Sequence, residues 1–500
     1  MRLILLWAIT RLSFATGADL SISIYRRTLY QPYAVHCARN SSTIINGISG
    51  KVNTVINNII MPAIILISSG VMLITILFAL LTVEPVIALA AFSTFGIVYA
   101  LVISLTRRQL LSDSKRIAQE STNVIKSLQE GLGGIRDVLI NGSQASYCQI
   151  YRNADLPLRH AQGNSSFISN SPRHVVEALG MVLIALLAFW LAQQPNGMVK
   201  AIPVVGALAL GAMRLLPVFQ NGYGAITGIR SGQVSLQDTL ELLDQPLPDY
   251  VDHSTPPAIE YKRSISLERV SFRYSHQAPY VLSEISLKID KGSRVGFIGS
   301  TGSGKSTLLD IVMGLLPATS GALVIDETEV VPDNNRAWQA HIAHVPQAIF
   351  LADTTIEENI AFGVEKNQID RKRVQQAAQQ AQISEIIESW PEQYQTFVGE
   401  RGIRLSGGQR QRIGIARALY RQANVIIFDE ATSALDTETE QAVMQAIDGL
   451  SKDLTLLIIA HRLTTLRKCT QIVELGEGRI ERVGSFEDVV NETVNESNNN

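Results

Sequence analysis

The sequence has little charge for its length and no excess of either sign. Only 18% of its 500 residues are Asp, Glu, Lys or Arg, and 45 acidic residues nearly balance 43 basic ones, for a net charge of −2. A nucleic-acid-binding protein is expected to carry a basic surface, so nucleic acid is not among the expected partners. The three cysteines, Cys37, Cys148 and Cys469, are scattered. Their spacing indicates neither a disulfide framework nor a metal site, and we interpret them as reduced thiols facing the cytosol.

Charge is almost absent from four long apolar runs in the first half of the chain. Residues 52–83 and 85–106 carry no charged side chain, and only Glu84 separates them. A helix of 32 residues is about 48 Å long, more than enough to cross a bilayer. The two runs therefore predict a membrane hairpin rather than two buried helices of a soluble core. Residues 178–199 and 201–229 predict two further spans.

The apolar run at the start of the chain is shorter. Leu3 to Thr10 gives eight residues before Arg11, too few for a membrane span. One interpretation is a signal peptide, with the small residues Ala15, Gly17 and Ala18 near its cleavage site. The other is the cytosolic end of a spanning helix whose beginning is absent, so that the chain is a fragment or its start is misassigned. The cytosolic character of the residues that follow favours the second interpretation.

Basic residues mark the cytosolic side of these spans. Three of them, Arg26, Arg27 and Lys51, precede the first full span. The loop between the second and third spans contains Arg107, Arg108, Lys115, Arg116, Lys126, Arg136, Arg152, Arg159 and Arg173. By the positive-inside rule, the long loops and the chain after residue 230 are cytosolic. Apolar residues at helical spacing over residues 112–129 predict a helix that continues out of the membrane. We therefore expect a multi-pass protein of the plasma (inner) membrane with a cytosolic domain.

A glycine-rich stretch in the second half fits the phosphate-binding pattern G-x-x-x-x-G-K-[ST]. It comprises Gly299, Ser300, Thr301, Gly302, Ser303, Gly304, Lys305, Ser306 and Thr307. A short apolar strand precedes it and an apolar helix follows it, which is the context that the pattern requires. Backbone N–H groups of such a loop surround phosphate, and the helix N-terminus adds positive charge. Lys305 is expected to reach the β- and γ-phosphates, and the Ser306 hydroxyl to bind Mg²⁺.

A second apolar run, residues 425–428, ends in the carboxylates Asp429 and Glu430. It predicts a buried parallel strand that delivers both acids to the edge where α/β sheets bind ligands. We expect Asp429 to hold Mg²⁺ through water and Glu430 to act as the general base that polarises the attacking water. Together with Lys305, the pair predicts a P-loop ATPase with ATP and Mg²⁺ as cofactors.

The segment Leu405-Ser406-Gly407-Gly408-Gln409 matches the signature motif of ABC proteins, and the chain resembles that family. The resemblance implies that Ser406, Gly407, Gly408 and Gln409 cap the γ-phosphate of ATP bound to the opposite subunit. It also implies that Tyr274 stacks on adenine, that Gln347 contacts Mg²⁺ and takes part in catalysis, and that His461 contacts the γ-phosphate. Residues 433–436 are similar to the loop that crosses the dimer interface. These motifs follow one another in the family's order over about 190 residues, which makes a chance match improbable.

The loop Val398-Gly399-Glu400-Arg401-Gly402 and the N-terminal membrane half resemble the exporter branch of the family. More loosely, residues 29–33 and 39–41 resemble a cytoplasmic coupling segment of exporters that flip lipid-linked oligosaccharides. The resemblance implies a half-transporter with an α-helical type 1 exporter domain, followed by an α/β P-loop ATPase. Its partner would be a second copy or a related half-transporter. Exporters have six spans, whereas this sequence shows four complete ones and a partial one, which indicates truncation at the N-terminus.

The expected domains are a transmembrane domain over residues 1–230, a linker over 231–262, an ATP-binding domain over 263–490 and a disordered tail over 491–500. The expected function is ATP hydrolysis coupled to export of a substrate, with lipid-linked oligosaccharide as one candidate. Peptide, lipid or drug-like substrates remain alternatives, as does a truncated, non-transporting subunit. A soluble ABC-type ATPase acting on DNA is disfavoured by the four long apolar runs.

Arg214 interrupts the last run. A charged residue at the centre of a span costs about 2.5–3.5 kcal/mol on insertion scales, so such residues usually face a cavity or a partner. We expect Arg214 to line the translocation cavity and to attract an anionic group such as a pyrophosphate, because its guanidinium pairs with two phosphate oxygens at once. The alternative is a side chain that snorkels to the headgroups.

Overall fold

A computed structural model of the chain describes residues 2–83, 85–193, 197–248, 259–429, 453–459 and 466–489, with the isolated positions 251, 437, 438, 440, 441 and 444. The chain forms two compact units. The first holds residues 1–31 and 35–248, and the second holds residues 32–34 and 249–500.

The described part of the first unit is helical throughout. Its helices are α1 (Arg2–Leu29), α2 (Tyr33–Ala38), α3 (Ser41–Asn46), α4 (Val52–Val55), α5 (Met61–Val83), α6 (Pro85–Gly133), α7 (Ile135–Ile140), α8 (Gln144–Ala192) and α9 (Gly197–Leu243). Two π-helical turns, Gly47–Lys51 and Ile56–Ile60, join α3, α4 and α5 into one helical stretch. Helix α9 ends at Leu243, so residues 231–243 of the predicted linker are helical.

The first helix is longer than its apolar start indicates. α1 has 28 residues, and residues 3–29 have a mean hydropathy of 1.4 in their most apolar window, enough for a membrane span by length and composition. The helix thus extends 19 residues beyond the apolar run that ends at Thr10. The small residues after Arg11 continue the helix instead of ending it, because they fit against a neighbouring helix. A Cβ on Gly17 would lie 2.2 Å from Ile56 Cδ1, so glycine permits this close approach.

The predicted hairpin is present, with Glu84 outside the described residues. α5 ends at Val83 and α6 begins at Pro85, a position where the missing N–H of proline does no harm. Residues 41–79 have a window hydropathy of 2.5, yet only 11% of that window is buried inside the protein. An apolar surface left this exposed fits lipid rather than a soluble core, which agrees with the predicted spans.

The helices continue beyond the membrane, as predicted for residues 112–129. α6 has 49 residues, which corresponds to about 74 Å, against about 30 Å for the hydrocarbon core. Polar contacts tie these extensions together. Lys51 Nζ lies 2.6 Å from Asp238 Oδ2, and the buried Ser165 hydroxyl donates to Ser231 Oγ at 2.8 Å.

The described residues of the second unit form two sheets. Its strands are β1 (Ser264–Phe272), β2 (Leu282–Asp290), β3 (Arg294–Ile298), β4 (Ser320–Ile325), β5 (Thr328–Glu329), β6 (Ile342–Val345), β7 (Val425–Asp429), β8 (Thr455–Ile459), β9 (Gln471–Gly476) and β10 (Arg479–Gly484). An antiparallel sheet has the order β2-β1-β4-β5, and a six-stranded sheet has the order β10-β9-β3-β8-β7-β6. In the second sheet all pairs are parallel except β10 with β9. The strand predicted over residues 425–428 is confirmed as β7.

The helices of this unit are α10 (Lys305–Val312), α11 (Asn335–Gln339), α12 (Ile356–Ile360), α13 (Arg371–Gln380), α14 (Ser384–Glu388) and α15 (Gly407–Tyr420). Helix α10 belongs to a core shared with both sheets, whereas α12 to α15 contribute to a second core on the other side of β7. Trp338 is fully buried in the first core, and its Nε1 donates to Val312 O at 2.7 Å. These two cores hold the loops between strands and helices in place.

Candidate nucleotide-binding site

Four parallel strands bring the predicted motifs to one edge of the sheet. β3, β8, β7 and β6 are neighbours in that order, and their carboxyl ends meet at the same edge. The glycine-rich loop follows β3, Asp429 ends β7, and Gln347 lies two residues beyond β6. The sequence alone did not establish this strand order. A ligand bound at this edge would lie beside all three motifs.

The glycine-rich loop turns between β3 and α10 with backbone angles that only glycine adopts easily. Gly299 has φ +135°, and a Cβ there would lie 2.1 Å from Leu475 O. Gly304 has φ +100°, and a Cβ there would lie 2.7 Å from Leu282 Cδ2. A side chain at either position would therefore clash as well as strain the backbone. The motif's spacing is thus a steric requirement of this loop.

Lys305 lies at the first turn of α10 with its amine folded back into the loop. Its Nζ donates to Gly299 O and Ser300 O at 2.8 Å each, and the residue is only 8% exposed. Carbonyl groups thus hold the positive charge inside the loop, while the neighbouring Ser306 is exposed at the start of the helix. A helix N-terminus and a fixed cation beside it both favour a negatively charged group.

Tyr274 lies beside the same helix. Its hydroxyl is 3.2 Å from Thr307 Oγ1, and its ring packs edge-on against Phe272 with a centroid distance of 5.0 Å. The residue is 57% exposed, so much of the ring surface is available for stacking on a planar group. The structure therefore places the predicted adenine-stacking residue beside the glycine-rich loop.

Sequence reasoning missed one acid near this site, Asp310 of α10. Burial and the neighbouring Asp429 carboxylate raise the pKa of Asp310 to about 6. The sequence spacing could have indicated it, because Asp310 is four residues after Ser306 and therefore lies on the same face of the helix. Two carboxylates that repel each other leave negative charge that a divalent cation would neutralise.

The loop after β6 holds Gln347, which is exposed. Three residues before Gln347, in β6, the Nε2 atom of His344 is buried and has no hydrogen-bond partner among the described residues. Burial lowers the pKa of His344, so the imidazole is neutral at physiological pH. A neutral, packed side chain at this position anchors the strand from which Gln347 extends.

The signature segment begins α15. Ser406 Oγ accepts from Gln409 N at 3.2 Å, and Ser406 N donates to Gln409 Oε1 at 2.8 Å, which makes a capping box. Gly407 and Gly408 form the first turn, where N–H groups remain for an external anion. The hydrogen bonds of Ser406 and Gln409 are thus made to each other, within a helix separate from the glycine-rich loop.

Several predicted residues lie outside the described part of the chain. Glu430 follows directly after β7, and His461 comes two residues after β8 ends at Ile459. Residues 433–436, the tail over 491–500 and the side chain of Arg214 are also outside it. Their roles stay predictions from the sequence.

The fold and the loop define a P-loop ATPase unit on the same chain as a unit of long membrane helices. The profile of the family described as "ABC transporter" matches residues 282–433, and that of the "ABC transporter transmembrane region" matches residues 4–197. The second match includes the first helix, which favours a span over a signal peptide.

Curated relatives share most of the chain. It is 30% identical over 403 residues to a protein of Alkalilimnicola ehrlichii, covering 79% of this chain and 67% of the relative. It is 28% identical over 487 residues to one of Pseudomonas aeruginosa (96% and 79%), and 33% identical over 387 residues to one of Chromohalobacter salexigens (77% and 66%). All three are named ATP-dependent lipid A-core flippase.

A solved structure supports the fold. The structure of a bacterial Atm1-family ABC exporter with ATP bound superposes with a TM-score of 0.81 at 24% identity, covering 97% of this chain and 84% of that one. The chain belongs to the ABC transporter family, as a half-transporter with one membrane domain and one ABC ATPase domain. It is a multi-pass inner-membrane protein with its ATPase domain in the cytosol, and that domain binds ATP.

Proposed function

We propose that the chain is one half of an ATP-driven flippase that moves an amphipathic lipid with a glycosylated headgroup across the membrane. The observation that carries the proposal is the glycine-rich loop between β3 and α10, built on the same chain as a unit of long apolar helices. The names of the curated relatives support a lipid substrate, because each is called a lipid A-core flippase.

The loop binds the phosphates of ATP in this proposal. Lys305 exchanges its contacts with the carbonyls of Gly299 and Ser300 for the β- and γ-phosphates, at little cost because its ammonium is already in place. Backbone N–H groups of residues 299–307 surround the phosphates, and Tyr274 stacks on the adenine. The nucleotide is thus held at both ends.

Mg²⁺ fits the acids at the sheet edge. Among the described residues, no group of three His, Cys, Asp or Glu side chains is placed to coordinate a metal ion by itself. Mg²⁺ in nucleotide sites is usually held by one or two protein ligands together with phosphates and water. Ser306, Asp429 and Gln347 would hold it, and the repulsion between Asp310 and Asp429 is the observation that favours a cation there. When bound, the ion neutralises charge on the transferred phosphoryl group.

Hydrolysis requires residues from two chains. Glu430 accepts a proton from the attacking water, and His461 contacts the γ-phosphate. Ser406, Gly407, Gly408 and Gln409 close on the same phosphate from a second chain, since the capped N-terminus of α15 leaves N–H groups for an anion. A partner, either a second copy or a related half-transporter, is therefore needed for each ATP site.

Closure of two such sites would change the shape of the membrane half. We place the coupling segments near residues 27–42 and 136–150, where short helices interrupt the long ones. ATP favours the closed pair of ATPase domains, and its differential affinity shifts the membrane cavity from inward- to outward-facing. Export of peptide, drug-like or other lipid substrates, and a non-transporting subunit, are the alternatives.

The test uses the full chain in proteoliposomes that contain a fluorescent lipid with a sugar headgroup, a fluorescent phospholipid or a labelled peptide. In liposomes whose ATPase domains face the external solution, we expect ATP to deplete the fluorescent glycolipid from the outer leaflet. A membrane-impermeant quencher added outside measures how much glycolipid remains in that leaflet. Lys305→Ala is the matched control, because it should abolish both ATP hydrolysis and translocation. ATP hydrolysis without movement of any lipid would reject the flippase proposal in favour of the alternatives.

A further inference from the structure

The loop over residues 273–281 joins β1 to β2 and carries Tyr274. β1 ends at Phe272 and β2 begins at Leu282, and these two residues are paired across the antiparallel ladder. Val281 N donates to Phe272 O at 2.8 Å, which closes the base of the loop. Tyr274 itself is exposed, so its ring is held by the loop more than by a surrounding core.

Two side chains face each other across this loop directly beyond the last paired residues. The guanidinium carbon of Arg273 lies over the face of the Tyr280 ring, 5.1 Å from the ring centre. A cation within about 6 Å of a ring centre is attracted by the negative face of the ring. The Arg273–Tyr280 contact therefore continues the cross-strand pairing of side chains from the sheet into the loop.

Arg273 also holds the backbone on both sides of Tyr274. Its Nη1 donates to His276 O at 2.8 Å, and its backbone N donates to Thr319 Oγ1 at 3.1 Å. The residue before Tyr274 is thus tied to the segment that leads into β4, and a carbonyl two residues after Tyr274 is tied to the same guanidinium. The backbone of Tyr274 lies between these two attachments.

The position of Tyr274 matters for the affinity of a stacked base. An exposed side chain on a loop loses conformational freedom when a ligand packs against it, and this loss weakens binding. A loop that is already ordered avoids part of that cost. If only a fraction of the molecules hold the ring in the stacking orientation, the apparent dissociation constant rises in inverse proportion to that fraction.

We infer that Arg273 and Tyr280 are positioning residues for the nucleotide base, since their contact holds Tyr274 in the orientation in which its ring stacks on adenine. The inference rests on the proposed stacking of Tyr274 and adds two residues that act through it. Neither Arg273 nor Tyr280 needs to touch the nucleotide for this role.

The test measures the dissociation constant of ADP with Mg²⁺ for the purified full chain, because ADP carries the base and is not hydrolysed. We expect Arg273→Met and Tyr280→Leu each to raise this constant about two- to fivefold, as for loss of an exposed cation–π contact. The double variant should bind no more weakly than Arg273→Met alone, since either change breaks the same contact. Tyr280→Phe keeps the ring face and should bind like the unmodified chain.

Tyr274→Leu shows whether Arg273 acts through Tyr274. On its own it should raise the dissociation constant at least about fivefold, as for loss of stacking between a base and an aromatic ring. Arg273→Met added to Tyr274→Leu should cause no further loss. Without nucleotide, amide hydrogen exchange over residues 273–281 should be faster in Arg273→Met than in the unmodified chain, because the loop is less ordered.

Arg373→Met is the matched control. The guanidinium carbon of Arg373 lies 4.6 Å from the centre of the Tyr420 ring, so this variant removes the same kind of contact from the same unit. Tyr420 belongs to the core on the other side of β7, whereas Phe272 belongs to the core that contains α10. Arg373→Met should therefore bind ADP like the unmodified chain.

The other outcomes overturn the inference. If Tyr274→Leu weakens ADP binding and Arg273→Met does not, the contact has no positioning role, although stacking by Tyr274 stands. If Arg273→Met still weakens binding in the Tyr274→Leu background, Arg273 acts by a route other than Tyr274. If Arg373→Met weakens binding equally, the effect is one of general stability. If Tyr274→Leu binds ADP normally, the proposed stacking is wrong and the inference fails with it.

Discussion

At the scale of single residues, the ATP site depends on charges held in fixed positions. Lys305 is kept inside the loop by two carbonyl oxygens, and Asp310 and Asp429 repel each other at the neighbouring strand end. Opposite charges are thus prearranged on the two sides of the place where phosphate and a cation would bind. Preorganised charge of this kind lowers the reorganisation needed during hydrolysis.

Glu430→Gln keeps the size and polarity of the side chain but removes the base. We expect ATP hydrolysis to fall roughly 100-fold or more, as for loss of general-base catalysis, while ATP binding persists. The measurements are steady-state phosphate release and nucleotide binding by the purified chain. Glu438→Gln, at an exposed carboxylate eight residues further on, is the control and should hydrolyse normally. Near-normal turnover of Glu430→Gln would remove it from the role of base.

Asp310→Asn should change how stability depends on pH. The pKa of Asp310, about 6 in the fold against a usual 3.8, favours its protonated form in the folded protein. Its stabilising contribution is therefore complete below about pH 4 and is lost as the pH rises through about 6. With a chelator present, the variant should be more stable than the unmodified chain at pH 7.5, by about 1–2 kcal/mol after allowance for partial exposure, and equal at pH 4.

The measurement is the melting temperature of the full chain at a series of pH values. Mg²⁺ with a non-hydrolysed ATP analogue should reduce the difference, because a bound cation offsets the repulsion between the two acids. Identical pH profiles for the variant and the unmodified chain would show that Asp310 titrates normally.

At the scale of elements, a helix N-terminus can stabilise its own helix through a cap and can also bind an anion. The N-terminus of α15 is capped by its own Ser406 and Gln409, and that of α12 by Thr355 and Glu358 in the same manner. Only the first belongs to the signature segment. The two capping boxes therefore allow the structural task of a cap to be separated from a task in ATP binding.

Ser406→Ala and Thr355→Ala should each lose about 1 kcal/mol of stability, as for removal of an N-cap. Ser406→Asp should keep the cap, since aspartate is an equally good N-cap, but should place a negative charge where the γ-phosphate of a second chain is proposed to bind. Melting temperatures and ATPase rates distinguish the two effects. We expect Ser406→Asp to be stable and inactive, and Thr355→Ala to be less stable and active. A stable, fully active Ser406→Asp would exclude the signature from the phosphate site.

At the scale of the whole molecule, the proposed ATP sites are shared between two chains. A dimer that combines Lys305→Ala on one chain with Ser406→Asp on the other would collect both defects in one site and leave the other site intact. Differently tagged chains allow this mixed dimer to be purified. Where one intact site suffices, it should retain up to about half the normal hydrolysis, while each single-variant homodimer is inactive. A mixed dimer no more active than the homodimers would contradict the head-to-tail arrangement.

Local sequence determined the parts of this protein whose interactions are close along the chain. The glycine-rich loop can be predicted from the sequence because its strand, turn and helix are consecutive and the turn itself requires the glycines. The membrane spans can be predicted from the sequence because a span must be apolar along its whole length. The first helix was underestimated, since its small and hydroxyl residues are tolerated only where a neighbour such as Ile56 packs against Gly17.

Tertiary structure decided what depends on residues far apart along the chain. The order β3-β8-β7-β6 brings Gln347 and Asp429 to the edge that carries the loop, and it places Asp310 near enough to Asp429 to change its pKa. Helix packing likewise brings Pro62, Tyr99, Arg173 and Tyr223 to the wall of one cavity, although they belong to α5, α6, α8 and α9. Each of these side chains is unremarkable within its own helix or strand. They form a site only because helix packing and strand pairing, which depend on the whole chain, bring them within reach of one another.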